Sequence, residues 1–255
     1  MQVSFRTITI VLFFLLAKNS FAQPGCNEFF DALFRCNFEA AEKKSATIGS
    51  QYSEEQQLLM QAVLNLHKSD NLTAGRENYQ TKSLYYARQV IRQLKDKTRS
   101  DKEVFYYIAA FGIVINADMQ QGRYRAVVSN LYQLKQPLEY VLEKDKANDQ
   151  FRFIAGLYNF YAELAAEDYP IMRFVFLFLP EGNKKYGLKL LTICSSSHDV
   201  LISAYALYYL GRIFHRDEKV YYKSAFYYRK LLDSYPENKY WRTEFDKMNT
   251  YFRNK

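Results

Sequence analysis

The sequence predicts an all-α fold, and three observations lead to it. Glycine and proline are scarce, with 9 and 5 copies among 255 residues, whereas all-β proteins need many turns and the residues that form them. Long segments rich in Ala, Leu, Glu, Lys and Gln favour helices. Apolar residues recur at spacings of three and four, as along one face of an α-helix; Phe30, Leu33 and Phe34 begin the first such stripe.

This periodicity divides the chain into helices that are joined by short polar or glycine-containing stretches. Ser53 is a good N-cap, and Ser100 with Glu103 forms a capping-box pattern. We expect a break near Asn37 and a break or a kink at Pro137, because proline interrupts the hydrogen bonds of a helix. The predicted segments are 27–48, 53–70, 79–97, 100–120, 124–145, 148–168, 183–197, 198–216, 219–235 and 240–253.

The first 22 residues have the organisation of a secretory signal peptide. Arg6 supplies the positive start, residues 8–17 form an apolar core, and small residues at Ser20 and Ala22 precede a cleavage position. The apolar core is short compared with the roughly 20 residues of a helical membrane span. We therefore expect residues 23–255 to be a single α-helical domain, exported to the periplasm or cell envelope of a bacterium.

Three cysteines remain after this cleavage. Cys26 raises the alternative of a lipid anchor, but the preceding Gln-Pro-Gly does not resemble a lipoprotein signal. Exported proteins can keep disulfides; Cys26 and Cys36 could pair only if the chain turns back between them, and buried thiols are the alternative. Cys194 has no partner at metal-ligand spacing.

Charge and motifs argue for binding rather than catalysis. Loss of the signal segment changes the formal charge from +8 to +6; export argues against nucleic acid, while peripheral contact with an anionic membrane surface remains open. His67, His198 and His215 lie apart, and no nucleotide-binding or nucleophile motif occurs. Nothing around Glu163 supports a sugar-cleaving acid. We expect no enzymatic activity, cofactor or metal.

Internal similarity indicates repeated helical hairpins. Three segments align on Gly112, Gly156 and Gly211, with large apolar residues on both sides of each glycine. In the last hairpin small residues would let the two helices approach, aromatic residues would fill the gaps, and proline would end the second helix. The positions of this pattern are Leu210, Gly211, Phe214, Ser224, Tyr228, Leu231 and Pro236.

The pattern resembles the tetratricopeptide repeat (TPR). Residues 156–214, which include the "GLKLL" helix around Gly187, resemble the expanded repeat of the inclusion-body-clearance family of TPR proteins and its bacterial relatives. The resemblance covers roughly the C-terminal 100 residues. It implies a right-handed superhelix of irregular, expanded TPR-like hairpins with a binding role, and it supplies no catalytic residues.

In such repeats the first helix of each hairpin faces the concave side. The positions that would face a partner are Asn116, Phe153, Leu157, Phe160, Tyr208, Arg212 and His215. Arg212 with its aromatic neighbours suits a carboxylate or a peptide. The five Tyr-Tyr pairs of the chain could line a groove, although packing explains most of them.

The most apolar run outside the N-terminus is residues 171–179, and Arg173 interrupts it. It is too short for a helical membrane span. We expect an inserted helix that either plugs the space between hairpins or, if exposed, contacts a partner or membrane. Its key side chains are Phe174, Phe176 and Phe178.

These features together predict an exported, non-enzymatic TPR-like scaffold that binds a protein or peptide in the cell envelope. The alternative is a helical-repeat receptor that captures a small molecule, glycan or lipid.

Overall fold

The all-α prediction is confirmed. The computed structural model describes residues 24–48, 52–168 and 179–253, and within these ranges every regular element is a helix. The predicted signal peptide and the side chains of Phe174, Phe176 and Phe178 lie outside the described residues. The helices are α1 (Pro24–Phe34), α2 (Phe38–Ile48), α3 (Glu54–Asn71), α4 (Arg76–Leu94), α5 (Asp101–Gln120), α6 (Tyr124–Gln133), α7 (Lys135–Glu143), α8 (Asp149–Asp168), α9 (Lys184–Cys194), α10 (Val200–Arg216), α11 (Tyr221–Ser234) and α12 (Lys239–Arg253).

Local sequence signals place several helix ends. Ser53 Oγ accepts a hydrogen bond from the Gln56 backbone N–H at 3.3 Å, and the capping box at Ser100 is formed, with the Ser100 N–H donating to Glu103 Oε2 at 2.8 Å. The predicted break near Asn37 is present. Cys36 adopts a left-handed φ of 57° there, which ends α1 and redirects the chain into α2.

The second predicted break is displaced from its proline. The chain turns at Leu134, between α6 and α7, and Pro137 lies in the first turn of α7. Proline is tolerated at a helix start because the first N–H groups have no partner within the helix. Pro137 therefore marks the start of a new helix rather than the kink of a continuous one.

The last predicted hairpin packs as its sequence pattern indicates. Ser224 Oγ on α11 donates to the Gly211 carbonyl on α10 at 2.7 Å. A Cβ at Gly211 would lie 3.0 Å from the ring of Tyr228. The glycine thus lets a buried aromatic ring lie directly against the α10 backbone. This packing supports the predicted hairpin, while the right-handed TPR-like superhelix stays a prediction.

The helices of the N-terminus pack against those of the C-terminus. The Phe34 ring at the end of α1 lies 5.4 Å from Tyr205 and 5.2 Å from Trp241, measured between centroids. Asn238 Nδ2 donates to the Phe34 carbonyl at 3.1 Å. The Tyr240 N–H donates to Asn71 Oδ1 at 3.2 Å. These contacts bring α3, α10 and α12 around a shared interior space.

The thiols are used as packing groups within this fold. Cys26 and Cys36 are not bonded to each other, although the chain does turn at Cys36. Cys26 Sγ accepts from Gln56, and Cys36 Sγ donates to Asn71 Oδ1 at 3.4 Å. Burial raises the pKa of Cys26 to about 11, so its thiol stays protonated at neutral pH.

Candidate functional site

A cavity of about 140 Å³ lies where α3, α4, α5, α10 and α12 meet. Its wall is formed by the last turns of α3 and α5, the first half of α4, the middle of α10 and the start of α12. Three of the residues predicted to face a partner, Asn116, Tyr208 and Arg212, line it together. The cavity therefore brings together three of the seven predicted partner-facing residues, and their role in binding stays a prediction.

Helix α10 contributes a periodic face to this wall. Tyr205, Tyr208, Tyr209 and Arg212 all line the cavity, and their spacing of i, i+3, i+4 and i+7 puts them on one side of a helix. Gly211, one position away, turns toward α11 and Tyr228. The helix thus holds Arg212 inward while its adjacent face packs in the core.

Arg212 is almost completely buried, with 2% of its surface exposed. Within the described part of the chain its guanidinium makes no hydrogen bond and no ion pair. Its electrostatic neighbours are the hydroxyl groups of Tyr208, Tyr161, Tyr240 and Tyr209. An arginine keeps its charge in proteins, so a full positive charge lies at the cavity wall, and no anion of a described residue forms an ion pair with it.

A buried acid that interacts with Arg212 does not supply such an anion. Glu244 on α12 interacts electrostatically with Arg212, but its carboxylate accepts from Arg216 at 2.5 Å and from Lys247 at 2.6 Å. Burial alone would raise the pKa of Glu244, yet these two cations hold it below the usual range. The charge of Glu244 is therefore already neutralised by Arg216 and Lys247.

Further polar groups of the cavity are arranged around aromatic rings. The hydroxyls of Tyr208 and Tyr240 lie 3.1 Å apart, within hydrogen-bond distance, and Tyr208 stacks on Trp241 at a centroid distance of 6.3 Å. His67 Nε2 shares a hydrogen bond with the Tyr205 hydroxyl. Burial lowers the pKa of His67 to about 3, so this imidazole is neutral.

Asn116 adds an unsatisfied acceptor from α5. Its Oδ1 atom is buried and has no hydrogen-bond donor among the described residues. Buried polar atoms in proteins nearly always have a partner, so an exception calls for an explanation. A ligand that brings an N–H or O–H group into the cavity would supply one.

Asp70 lines the same cavity from the last turn of α3. Its side chain is accessible to solvent although protein surrounds it on most sides, as expected on the wall of a concave pocket. Burial raises the pKa of Asp70 from 3.8 to about 7, and Arg76 opposes this only in part. No hydrogen bond or ion pair from a described residue reaches its carboxylate.

The raised pKa of Asp70 predicts a pH-dependent stability. Because the folded protein holds this proton more tightly than the unfolded chain does, the stabilisation is fully present below about pH 4 and is lost as the pH rises through about 7. We expect Tm of the wild type to fall over this window relative to Asp70→Asn, which cannot ionise. Thermal melts between about pH 4 and about pH 7 test this prediction. Asp233→Asn, at an exposed position on α11, is the control. Parallel Tm profiles for the wild type and Asp70→Asn would contradict the prediction.

The other predicted partner-facing residues lie elsewhere. Phe153, Leu157 and Phe160 on α8 are buried in the core, where Phe153 meets the ring of Tyr209 at 6.0 Å. His215 is half-buried against the ring of Tyr221 and does not line the cavity. A role in binding stays a prediction for all the residues proposed.

Glu163 has a structural role that its sequence context did not show. Its Oε2 accepts from the Lys184 backbone N–H at 2.6 Å, at the start of α9. A carboxylate at a helix N-terminus satisfies an unpaired donor and favours the helix dipole. The acidic cluster at the end of α8 therefore anchors the following helix.

Sequence reasoning missed most residues of the wall, and three of them carried different signals. His67 is interpreted from the sequence as a packing or surface histidine, and Asp70 is a single acid at the end of a helix, which carries no signal. Trp241 is the single tryptophan of the chain and is 1% exposed. A single tryptophan is the one feature that could have indicated this interior.

Comparisons with known proteins add no assignment. The chain matches no protein-family model, no curated protein and no solved structure. Among the described helices none is both long and apolar enough to cross a membrane. The described residues also contain no group of three or more His, Cys, Asp or Glu side chains arranged to hold a metal ion.

Proposed function

We propose that this chain is a non-catalytic binding protein whose cavity holds an anionic group of its ligand against Arg212. The observation that carries this proposal is the buried guanidinium with no ion pair or hydrogen bond from the described residues. A carboxylate could accept two parallel N–H bonds from it, and such charge-assisted pairs are among the strongest polar contacts in proteins. Tyr208, Tyr240 and Asn116 would surround the same group.

A protein or peptide partner could supply this carboxylate through its C-terminus or an acidic side chain. This is the scaffold function that the repeat pattern predicts, and it would place a TPR-like superhelix in the envelope of a bacterium after removal of residues 1–22. The packing of α10 on α11 around Gly211 supports the repeat pattern. Export rests on the sequence of the N-terminus alone.

A small molecule is the second candidate, and the size of the cavity favours it. An engineered cavity of about 150 Å³ holds one benzene molecule, so 140 Å³ suits about six non-hydrogen atoms. Such a space accepts a compact group rather than an extended peptide segment.

Binding of a simple carboxylate tests the proposed function. We expect butyrate to raise Tm of the mature protein, residues 23–255, and butyramide, its uncharged analogue, to have no effect, because only the charged group pairs with the guanidinium. A short peptide with a free C-terminus, compared with the same peptide as an amide, extends the test to a peptide partner. A cavity that responds equally to acid and amide would contradict the role of Arg212.

A further inference from the structure

The cavity contains a second ionisable group that no described residue pairs with, and its ionised form is opposite in sign to Arg212. Asp70 and Arg212 line the same 140 Å³ space, yet they do not form an ion pair with each other. Two opposite charges in one small pocket would ordinarily pair, since their attraction is strong where water is partly excluded. Their separation leaves room for a group between them.

We propose that the ligand is a small zwitterion, with a carboxylate bound by Arg212 and an ammonium group bound by Asp70. This inference rests on the proposed function and adds the cationic end of the ligand. Arg212 is 2% exposed, whereas Asp70 is open to solvent. The carboxylate therefore enters first and the ammonium group stays nearer the mouth.

Two aromatic rings of the cavity wall suit the body of such a ligand. Tyr208 and Trp241 stack there and present apolar ring surface, which can cover methylene groups. Tyrosine and tryptophan faces also attract an ammonium group through the ring quadrupole. The buried Oδ1 of Asn116 offers a further acceptor.

The charges that face Asp70 are compatible with a bound cation. Arg76 reaches it electrostatically but forms no ion pair with it, and Tyr205 and Tyr240, which also interact with it, remain neutral because their pKa values are raised well above 10. His67 on the same wall is neutral as well. An ammonium group would therefore find the carboxylate of Asp70 largely uncompensated, and it would favour the ionised form of that carboxylate.

A matched set of small compounds tests the inference by calorimetry on the mature protein. The zwitterions are L-alanine, β-alanine and 4-aminobutyrate, in which the distance between the charges increases. Propionate and butyrate lack the ammonium group, and propylamine lacks the carboxylate. We expect the best zwitterion to bind about tenfold more tightly than its acid analogue, as one added charge-assisted hydrogen bond would give.

Two variants assign the two ends of the ligand. Asp70→Asn should reduce the affinity for the zwitterion about tenfold, with Asp233→Asn as the control. It should not reduce the affinity for butyrate, because removal of a negative charge from the wall does not weaken the binding of an anion. Arg212→Met should remove the binding of both compounds. Circular dichroism and Tm of each variant show that it is folded before binding is measured.

The outcomes separate this inference from the proposed function. If butyrate binds through Arg212 as tightly as every zwitterion, the proposed function stands, but the inference that the ligand is a zwitterion is wrong. If no compound with a carboxylate binds, the proposed function itself fails. The last compound is phosphoethanolamine, the headgroup of a zwitterionic lipid. If it binds more tightly than every amino acid, the proposal that the ligand carries a carboxylate is wrong, and the anion is a phosphate.

Discussion

Gly187→Ala is expected to lower the free energy of unfolding by about 2 kcal/mol. A Cβ at this position would lie 2.6 Å from the Gly156 carbonyl oxygen and 2.6 Å from the Phe160 backbone nitrogen. Both are backbone atoms of α8, so neither can rotate away and α9 must separate from α8. Overpacking of this kind costs up to about 3 kcal/mol or more, and the better helix propensity of alanine returns about 1 kcal/mol.

Two further variants make this prediction specific. A Cβ at Gly156 would meet mainly the Leu191 side chain, at 3.0 Å; because a side chain can adjust, we expect Gly156→Ala to cost less than Gly187→Ala. Lys189→Ala, on the exposed face of α9, should change stability by less than about 0.5 kcal/mol. Urea denaturation followed by circular dichroism measures all three, and a Gly187→Ala protein as stable as the wild type would show that α8 and α9 do not touch there.

The parts of the fold that depend on local sequence could be predicted. Helix periodicity, the caps at Ser53 and Ser100 and the turn near Asn37 each involve residues a few positions apart, so one segment contains all the information. The packing of Gly211 on Tyr228 also lies within a single hairpin. Pro137 shows the limit of this reasoning, because a proline can begin a helix as readily as it ends one, and only packing places the break at Leu134.

The cavity could be predicted only in part, because its wall combines distant segments. The face of Tyr208 and Arg212 follows from helical spacing, but α10 is apolar nearly all round, so its sequence does not distinguish a core face from a cavity face. Asp70 on α3 and Trp241 on α12 meet that face only in the folded chain. The predicted facing position Phe160 on α8 is buried because the glycine of α9 brings that helix directly onto its backbone.

Arg212→Met is expected to stabilise the unliganded protein while it removes binding. Taking a charge out of water costs several kcal/mol, and this cost is offset only when a partner repays it. The described residues give the Arg212 guanidinium no ion pair, and methionine is a flexible apolar side chain that can fill the same space. We expect the free energy of unfolding to rise by about 1–3 kcal/mol, by analogy with buried charges replaced by apolar residues.

The sign of this change distinguishes a charge kept for a ligand from a charge kept for the fold. If the tyrosine hydroxyls around Arg212 held the structure together through it, Arg212→Met would leave them unsatisfied and lower Tm. Arg212→Lys keeps the charge but loses the planar two-donor geometry, so it should weaken carboxylate binding without the gain in stability. Arg229→Met, at an exposed position on α11, should change neither property. A more stable Arg212→Met protein that no longer binds would mean that the chain retains an unfavourable buried charge because its ligand neutralises it.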